Sequence, residues 1–236
     1  MLKFFTLLFA VATLSSCEVL NQLPTTTSTM GGITEAEAAQ GIKEALGQGL
    51  TKAVLKLNTT DGFFNDQIYK ILLPPDAQKV ENTLRSIGLN SLVDKAILQI
   101  NRGAEDAAGY AKPIFIDAIR NMSLSDAIGL VRNGDTSATH FFRVKTTELL
   151  MAAFTPVIKS SLDKVSATKY YGDMVNQYNS FPTTFKKINP DLTNFVTLKA
   201  TEALFDLVAK EEKNIRINFA ARSSEILKKV FGQFGR

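Results

Sequence analysis

The chain has 236 residues, a formal net charge of +4 and 45% hydrophobic residues. This balance excludes an intrinsically disordered chain, which combines few apolar residues with a high net charge. Basic and acidic residues are interleaved along the sequence, so the charge gives no reason to expect a nucleic-acid partner. The length fits one domain, or two small ones, with a sizeable core.

The N-terminus has the organisation of a bacterial export signal. Lys3 precedes the apolar run Phe4–Leu14, which suits a signal-peptide core but is shorter than the roughly 20 residues that cross a bilayer. The next residues, LSSC ending at Cys17, resemble the lipobox, in which an aliphatic residue and two small residues precede a cysteine. This resemblance implies cleavage before Cys17 and acylation of that residue. An ordinary secretory signal is the alternative, but it would leave an exported protein with one unpaired thiol.

We therefore predict a signal peptide at residues 1–16, followed by a lipidated cysteine and a flexible tether at residues 17–33. Pro24 and the threonine-rich run after it show no apolar period. In enteric bacteria an aspartate after the cysteine retains lipoproteins in the inner membrane, so Glu18 favours the outer membrane. We expect an outer-membrane lipoprotein that faces the periplasm and contacts the membrane through acylated Cys17.

The body of the chain, residues 34–236, is predicted to form a single compact all-α domain of about nine helices. Thr34 and Glu37 form a capping box, and apolar residues then recur at every third or fourth position to Leu57. Glycines lower the intrinsic stability of this first helix, so we expect either close packing at Gly41, Gly47 and Gly49 or a loose helix.

Later helices follow a break at Asp61-Gly62 and a short apolar segment that is either helical or irregular. Pro113 is expected to kink or restart one helix, and Pro156 to kink another. No window shows the period-two alternation of a strand over a useful length. Further helices are expected to start near Asp76, Ser91, Ile114, Ser123, Ser137, Ala167, Asp191 and Ser223.

The sequence offers few groups for catalysis. His140 is the only histidine, so neither a histidine-based triad nor a two-histidine metal site can form within one chain. The motifs of serine hydrolases, zinc proteases and nucleotide-binding loops are absent from the sequence. We expect no catalytic residue, no metal and no cofactor, and we expect His140 to be exposed or half-buried.

Polar side chains on apolar helix faces are the strongest indication of a site. Lys145 falls on the stripe that contains Phe142 and Leu149, and Glu212 falls on a buried stripe with Arg216 four residues later. Because buried charges are costly unless paired, we expect one internal polar network. Its candidate members are Asn101, Arg102, Glu105, Lys145, Glu212, Arg216 and Arg222. Such a network would either line a ligand pocket or fix the packing of the helices.

Short motifs follow one another in a characteristic order: DGF at 61–63, LQINRGAE at 98–105, AKP at 111–113, FF at 141–142, EE at 211–212 and LKKVFG at 227–232. This order resembles a family of uncharacterised bacterial exported proteins and lipoproteins, the domain of unknown function 4197. The resemblance covers Thr34 to Gly232 and implies a mainly helical periplasmic protein without an established activity. One departure is Phe219, where the family pattern has proline.

These observations favour a non-enzymatic binding or protein-interaction module, which would present an exposed apolar or charged patch. The first alternative is a carrier of a lipid or other apolar ligand, held in a pocket lined by phenylalanines between the helices. The second is an enzyme of unfamiliar design that uses Lys145, Glu212 and Arg216. Such an enzyme would need a cleft that exposes these charges to solvent.

Overall fold

The computed structural model describes residues 32–125, 127–189 and 191–233. Within these ranges the chain is all-α, with eight α-helices, two short 3-10 helices and no strand, which confirms the predicted fold class. The predicted signal peptide, Cys17 and all but the end of the tether lie outside the described residues. The helices are α1 (Glu35–Leu57), α2 (Gln78–Ser86), α3 (Asn90–Asn121), α4 (Ala127–Arg132), α5 (Ser137–Lys164), α6 (Ala167–Asn179), α7 (Thr193–Ile217) and α8 (Glu225–Gly232), with 3-10 helices at Pro75–Ala77 and Phe219–Ala221.

The start of α1 has the predicted capping box. The Thr34 N–H donates to Glu37 Oε2 at 3.0 Å, and the Glu37 N–H donates to Thr34 Oγ1 at 3.2 Å. Glu35, in the same turn, accepts hydrogen bonds from the backbone N–H groups of Ala127 and Ile128. One turn of α1 therefore caps both its own helix and the first turn of α4.

Two glycines of α1 allow neighbouring helices to approach closely, as the sequence predicted. A Cβ atom at Gly41 would lie 2.8 Å from Val230 of α8, and one at Gly49 would lie 3.1 Å from the Val208 carbonyl oxygen of α7. Gly47 differs, because a Cβ there would lie 3.7 Å from its nearest neighbour and would make an ordinary contact. The close packing expected at three positions is therefore found at two.

Helix α3 runs through Pro113 without interruption, so the helix restart expected there does not occur. Proline removes one backbone donor and leaves the carbonyl four residues earlier without its partner. That carbonyl belongs to exposed Gly109, and Pro113 is exposed as well, so water can satisfy the group. Pro156 in α5 is also exposed and also lies inside a continuous helix. The described chain therefore has one helix fewer than the nine expected.

The four long helices α1, α3, α5 and α7 surround one hydrophobic core. Its centre is a group of four phenylalanine rings with centroids between 5.5 and 6.4 Å apart, from Phe115, Phe142, Phe154 and Phe205. These rings contact one another instead of lining the ligand pocket that a carrier would need. Across the described ranges, every helix is too short or too polar to span a membrane.

Substitution of Gly49 should show how close packing affects stability, apart from the effect of helix propensity. Gly49→Ala should lower the free energy of unfolding by about 1–3 kcal/mol, because the methyl group meets the backbone of Val208. Gly47→Ala is the matched control on the same helix and should stabilise the protein by roughly 0.5–1 kcal/mol. Urea unfolding followed by circular dichroism measures both. Equal stabilities of the two variants would contradict the close contact between α1 and α7.

Candidate functional site

The seven polar residues singled out in the sequence do not form one network. Six of them divide into two clusters that share no hydrogen bond in the described part of the chain. Lys145 belongs to neither cluster, because it is exposed and its Nζ lies 5.8 Å from the Phe141 ring centroid. The prediction of a single network that includes Lys145 is therefore wrong. Helix α5 carries apolar residues around its whole circumference, and its face with Lys145, Val144 and Leu149 points to solvent.

The first cluster joins α7 to the start of α5. Glu212 is completely buried, and its Oε2 accepts hydrogen bonds from the Thr139 N–H at 2.7 Å and the Thr139 hydroxyl at 2.6 Å. Its Oε1 accepts from the Ala138 N–H at 3.1 Å. These donors belong to the first turn of α5, where unsatisfied amides and the helix dipole favour an anion. Glu212 therefore acts as an N-terminal cap supplied by another helix.

Arg216 acts at the C-terminal end of a helix. It pairs with Glu212 at 2.7 Å, and its guanidinium donates to the carbonyl oxygens of Val131 at 2.6 Å and Leu130 at 2.9 Å. Both carbonyls lie in the last turn of α4, which favours a cation. Arg222 then donates to the Ile215 and Arg216 carbonyl oxygens, both at 2.9 Å. The burial of the whole cluster favours a role in packing over a role in catalysis.

The second cluster holds the non-helical segment between α1 and α2 against α3. Asn101 accepts from the Ile71 N–H and donates to the Ile71 carbonyl oxygen, both at 2.8 Å, as a neighbouring strand would. Glu105 Oε1 accepts from the N–H groups of Phe63 and Phe64, both at 3.1 Å. Two buried side chains thus satisfy backbone groups that have no helical partner.

Arg102 completes this cluster and explains the Asp61-Gly62 motif. It donates to Glu105 Oε2 and to Asp61 Oδ1, both at 2.7 Å, and its pKa is raised first by the bond to Glu105 and then by that to Asp61. Asp61 has a φ of 69°, in the left-handed region. A Cβ at Gly62 would lie 2.6 Å from the Leu57 carbonyl oxygen, so the turn requires glycine.

An open groove between α1, the C-terminal half of α3 and the second 3-10 helix is the best candidate for a binding site. We call it the α1–α3 groove; its volume is about 740 Å³. Apolar atoms provide most of its lining, and Gly47 makes room at its floor. The other lining residues of its floor and walls are Thr51, Ile116, Ile119, Ala220, Ala221 and Ser223.

The rim of this groove is positively charged. Three of its lining residues are cations and one is a carboxylate. Lys43 donates to the Arg120 carbonyl oxygen at 2.7 Å, and Lys52 pairs with Glu211 at 2.5 Å. Neither Lys43 nor the Arg120 guanidinium has a carboxylate partner within the described residues. An apolar floor with a cationic rim suits a partner that presents apolar groups and a negative charge.

The sequence analysis did not assign any residue of this groove to a binding site. The sequence feature that indicates the groove is Gly47, the one glycine of α1 that no other helix approaches closely. When no neighbouring helix packs closely against a glycine, its missing side chain leaves a space at the surface. Finding that space from the sequence would have required knowing which helix lies beside each glycine.

Comparison with known proteins identifies the family. The family model described as "Protein of unknown function (DUF4197)" matches residues 32–232. The chain belongs to this family. No curated protein and no solved structure gives a significant match to the chain. Three of the six motifs that suggested the family contribute to the clusters: DGF and LQINRGAE to the second, and Glu212 of the EE motif to the first.

Removal of the Glu212 charge should test the packing role of the first cluster. Glu212→Gln should lower the free energy of unfolding by about 3 kcal/mol, because it leaves buried Arg216 without its counter-charge. Glu225→Gln is the matched control: its side chain is 89% exposed in a surface pair with Lys228, so the change should stay within about 0.5 kcal/mol. Thermal and urea unfolding measure both. Unchanged stability of Glu212→Gln would contradict the assigned role.

Proposed function

We propose that the protein is an exported, lipid-anchored binding module that holds a protein partner in the α1–α3 groove, at the inner face of the outer membrane. The observation that carries this proposal is the groove itself. It places two cations that have no carboxylate partner among the described residues, Lys43 and Arg120, beside an apolar floor, on a body whose buried charges are hydrogen-bonded to its own backbone and side chains. Such a surface favours association with a partner over transformation of a substrate.

The groove also lies near the end of the body to which the predicted tether is joined. Helix α1 begins at Glu35 and the lining of the groove begins at Gln40. Five residues of helix correspond to about 8 Å. A flexible tether of the predicted length spans on the order of 20 Å. An acyl anchor at Cys17 would therefore keep the groove close to the membrane, within reach of a partner that is itself bound there.

Replacement of Cys17 should test the anchor. Cys17→Ala should release the protein from the membrane fraction or leave an unprocessed precursor, because it removes the atom that is acylated. Cell fractionation and intact-protein mass spectrometry measure both results. Ser16→Ala keeps a small residue before the cysteine and should behave as the unsubstituted protein does. Membrane association of Cys17→Ala equal to that of the unsubstituted protein would contradict lipidation.

Filling the groove should test the binding site without unfolding the protein. Gly47→Leu places a side chain on the groove floor at the position where α1 has no close neighbour. A photo-crosslinking residue at Gln40, on the rim, should give a specific protein adduct in the native host that Gly47→Leu abolishes. The same residue at exposed Lys79 of α2 should give no such adduct.

The outcomes of this experiment separate the candidate functions. An adduct at Gln40 that persists with Gly47→Leu would contradict binding in the groove. A lipid adduct in place of a protein adduct would favour the carrier of an apolar ligand. The circular dichroism and unfolding temperature of Gly47→Leu should equal or exceed those of the unsubstituted protein, which excludes unfolding as the cause of a lost adduct.

A further inference from the structure

A second groove lies between the segment that precedes α2 and the N-terminal half of α7. We call it the edge groove; its volume is about 490 Å³. One wall consists of six consecutive residues, Ile68 to Leu73, and the end of the groove is closed by Pro75 and Gln78. The other wall is a stripe of α7 with residues Phe195, Lys199, Glu202, Ala203 and Asp206.

The wall of six residues contains an extended chain. Tyr69, Ile71 and Leu73 are buried, whereas Lys70 and Leu72 between them are exposed, which is the period-two pattern of an extended segment. Asn101 bonds both the N–H and the carbonyl oxygen of Ile71, as an adjacent strand does on one side. In an extended chain the backbone groups of the next residue point to the opposite side.

The backbone of Leu72 is therefore directed away from α3 and towards the groove. Within the described part of the chain, neither its N–H nor its carbonyl oxygen has a hydrogen-bond partner. Its side chain is 58% exposed, and that of Ile68 is 70% exposed. The segment thus presents a short strand edge beside an α-helix, with a donor and an acceptor that only a complementary backbone satisfies together.

The charges on the α7 side of the edge groove are paired. Lys199 pairs with Glu202 at 2.8 Å, and Lys210 pairs with Asp206 at 2.9 Å. The Nζ of Lys70 lies 4.1 Å from the centroid of a phenylalanine ring. The α7 wall therefore carries no net charge, so apolar side chains that pack against this wall need no counter-charge, whereas the rim of the α1–α3 groove has two cations without carboxylate partners among the described residues.

Tyr69 fixes one end of the groove. Its hydroxyl donates to Asp206 Oδ2 at 2.6 Å and accepts from Lys210 Nζ at 2.8 Å. Burial and the bond to Asp206 raise the pKa of Tyr69. Although partial burial acts to raise the pKa of Asp206, the hydrogen bonds from Tyr69 and Lys210 lower it. The charge balance of the α7 wall is thus maintained at neutral pH.

We infer that the edge groove binds an extended, uncharged peptide segment of a partner protein, which adds as a strand to residues 70–73 and places its apolar side chains against α7. The N–H and carbonyl oxygen of Leu72 form hydrogen bonds with one residue of that segment. The turn before Lys70 and the prolines after Leu73 limit the pairing to a few residues. This site is separate from the α1–α3 groove and does not depend on the function proposed there.

The test uses linear heptapeptides selected from a random phage-displayed library on the whole protein in detergent, and then synthesised with capped ends. Leu72→Pro removes the backbone donor, whereas the control Leu72→Ala removes the side chain and keeps the donor. Peptide affinity should fall at least about tenfold for Leu72→Pro and by less than about threefold for Leu72→Ala. Methylation of the peptide's backbone nitrogens should weaken binding at alternate positions only.

A measurement on the unsubstituted protein keeps the test valid if Leu72→Pro fails to fold. Hydrogen exchange should show the Leu72 amide protected by the bound peptide. Peptides that bind Leu72→Pro as tightly as the unsubstituted chain, methylation effects without alternation, or an unchanged Leu72 amide would each overturn the inference. So would a library that yields no peptide, or a dimer of the chain that Leu72→Pro disrupts, because the occupant would then be a second copy.

Discussion

The ion pair between Glu212 and Arg216 is the contact on which the second half of the fold depends. Two buried charges are costly in a protein interior unless each finds further partners. Here the carboxylate meets the amides that begin α5, and the guanidinium meets the carbonyls that end α4. Helix α4 has six residues, too few to be stable alone, and it is held at its start by Glu35 and at its end by Arg216. One pair of α7 side chains thus fixes the connection between two helices.

The same arrangement positions the surfaces that we propose as binding sites. Arg222 bonds the carbonyls at the end of α7, and Gln48 of α1 donates to the Ala221 carbonyl oxygen at 2.7 Å, so the 3-10 helix is held as a wall of the α1–α3 groove. On another part of the body, Asn101 holds the wall of the edge groove at Ile71, and Glu105 holds the turn that precedes this wall. Each groove therefore has one wall that is not an α-helix, and a residue of a buried polar cluster holds it in place.

The sequence predicted the helices better than it predicted how they meet. Capping residues and apolar periods depend on neighbours within one helix, so α1 was predicted with its capping box and α5 with its start at Ser137. Six of the seven polar residues have hydrogen-bond partners in the two clusters, as a polar group on an apolar stripe requires. Their division into two clusters depends on which helices lie side by side, which periodicity does not contain. Lys145 was misplaced because α5 is apolar on every face, and either face could have been the buried one.

Phe219 stands at a position where the resemblance led us to expect proline. It is the first residue of the second 3-10 helix, a position where the fixed φ of proline and its missing N–H are both tolerated. Phenylalanine there is 65% exposed, and its ring lies 5.7 Å from the Arg222 guanidinium. The hydrogen bonds of Arg222 to the end of α7 remain in place, so the wall of the α1–α3 groove does not depend on a proline at this position.

The hydrogen bonds of the buried charges also bear on the choice between binding and catalysis. A catalytic carboxylate or guanidinium must exchange a partner for the substrate, and it needs access to solvent for that exchange. The Glu212 oxygens accept from two backbone amides, a hydroxyl and Arg216, so they have no place left for a substrate. Among the described residues, groups with unsatisfied hydrogen-bonding capacity at the surface include the Arg120 guanidinium on the rim of one groove and the Leu72 backbone at the edge of the other. A cation on a rim and a strand edge hold a partner in place without chemical change, which is why both grooves favour a binding module.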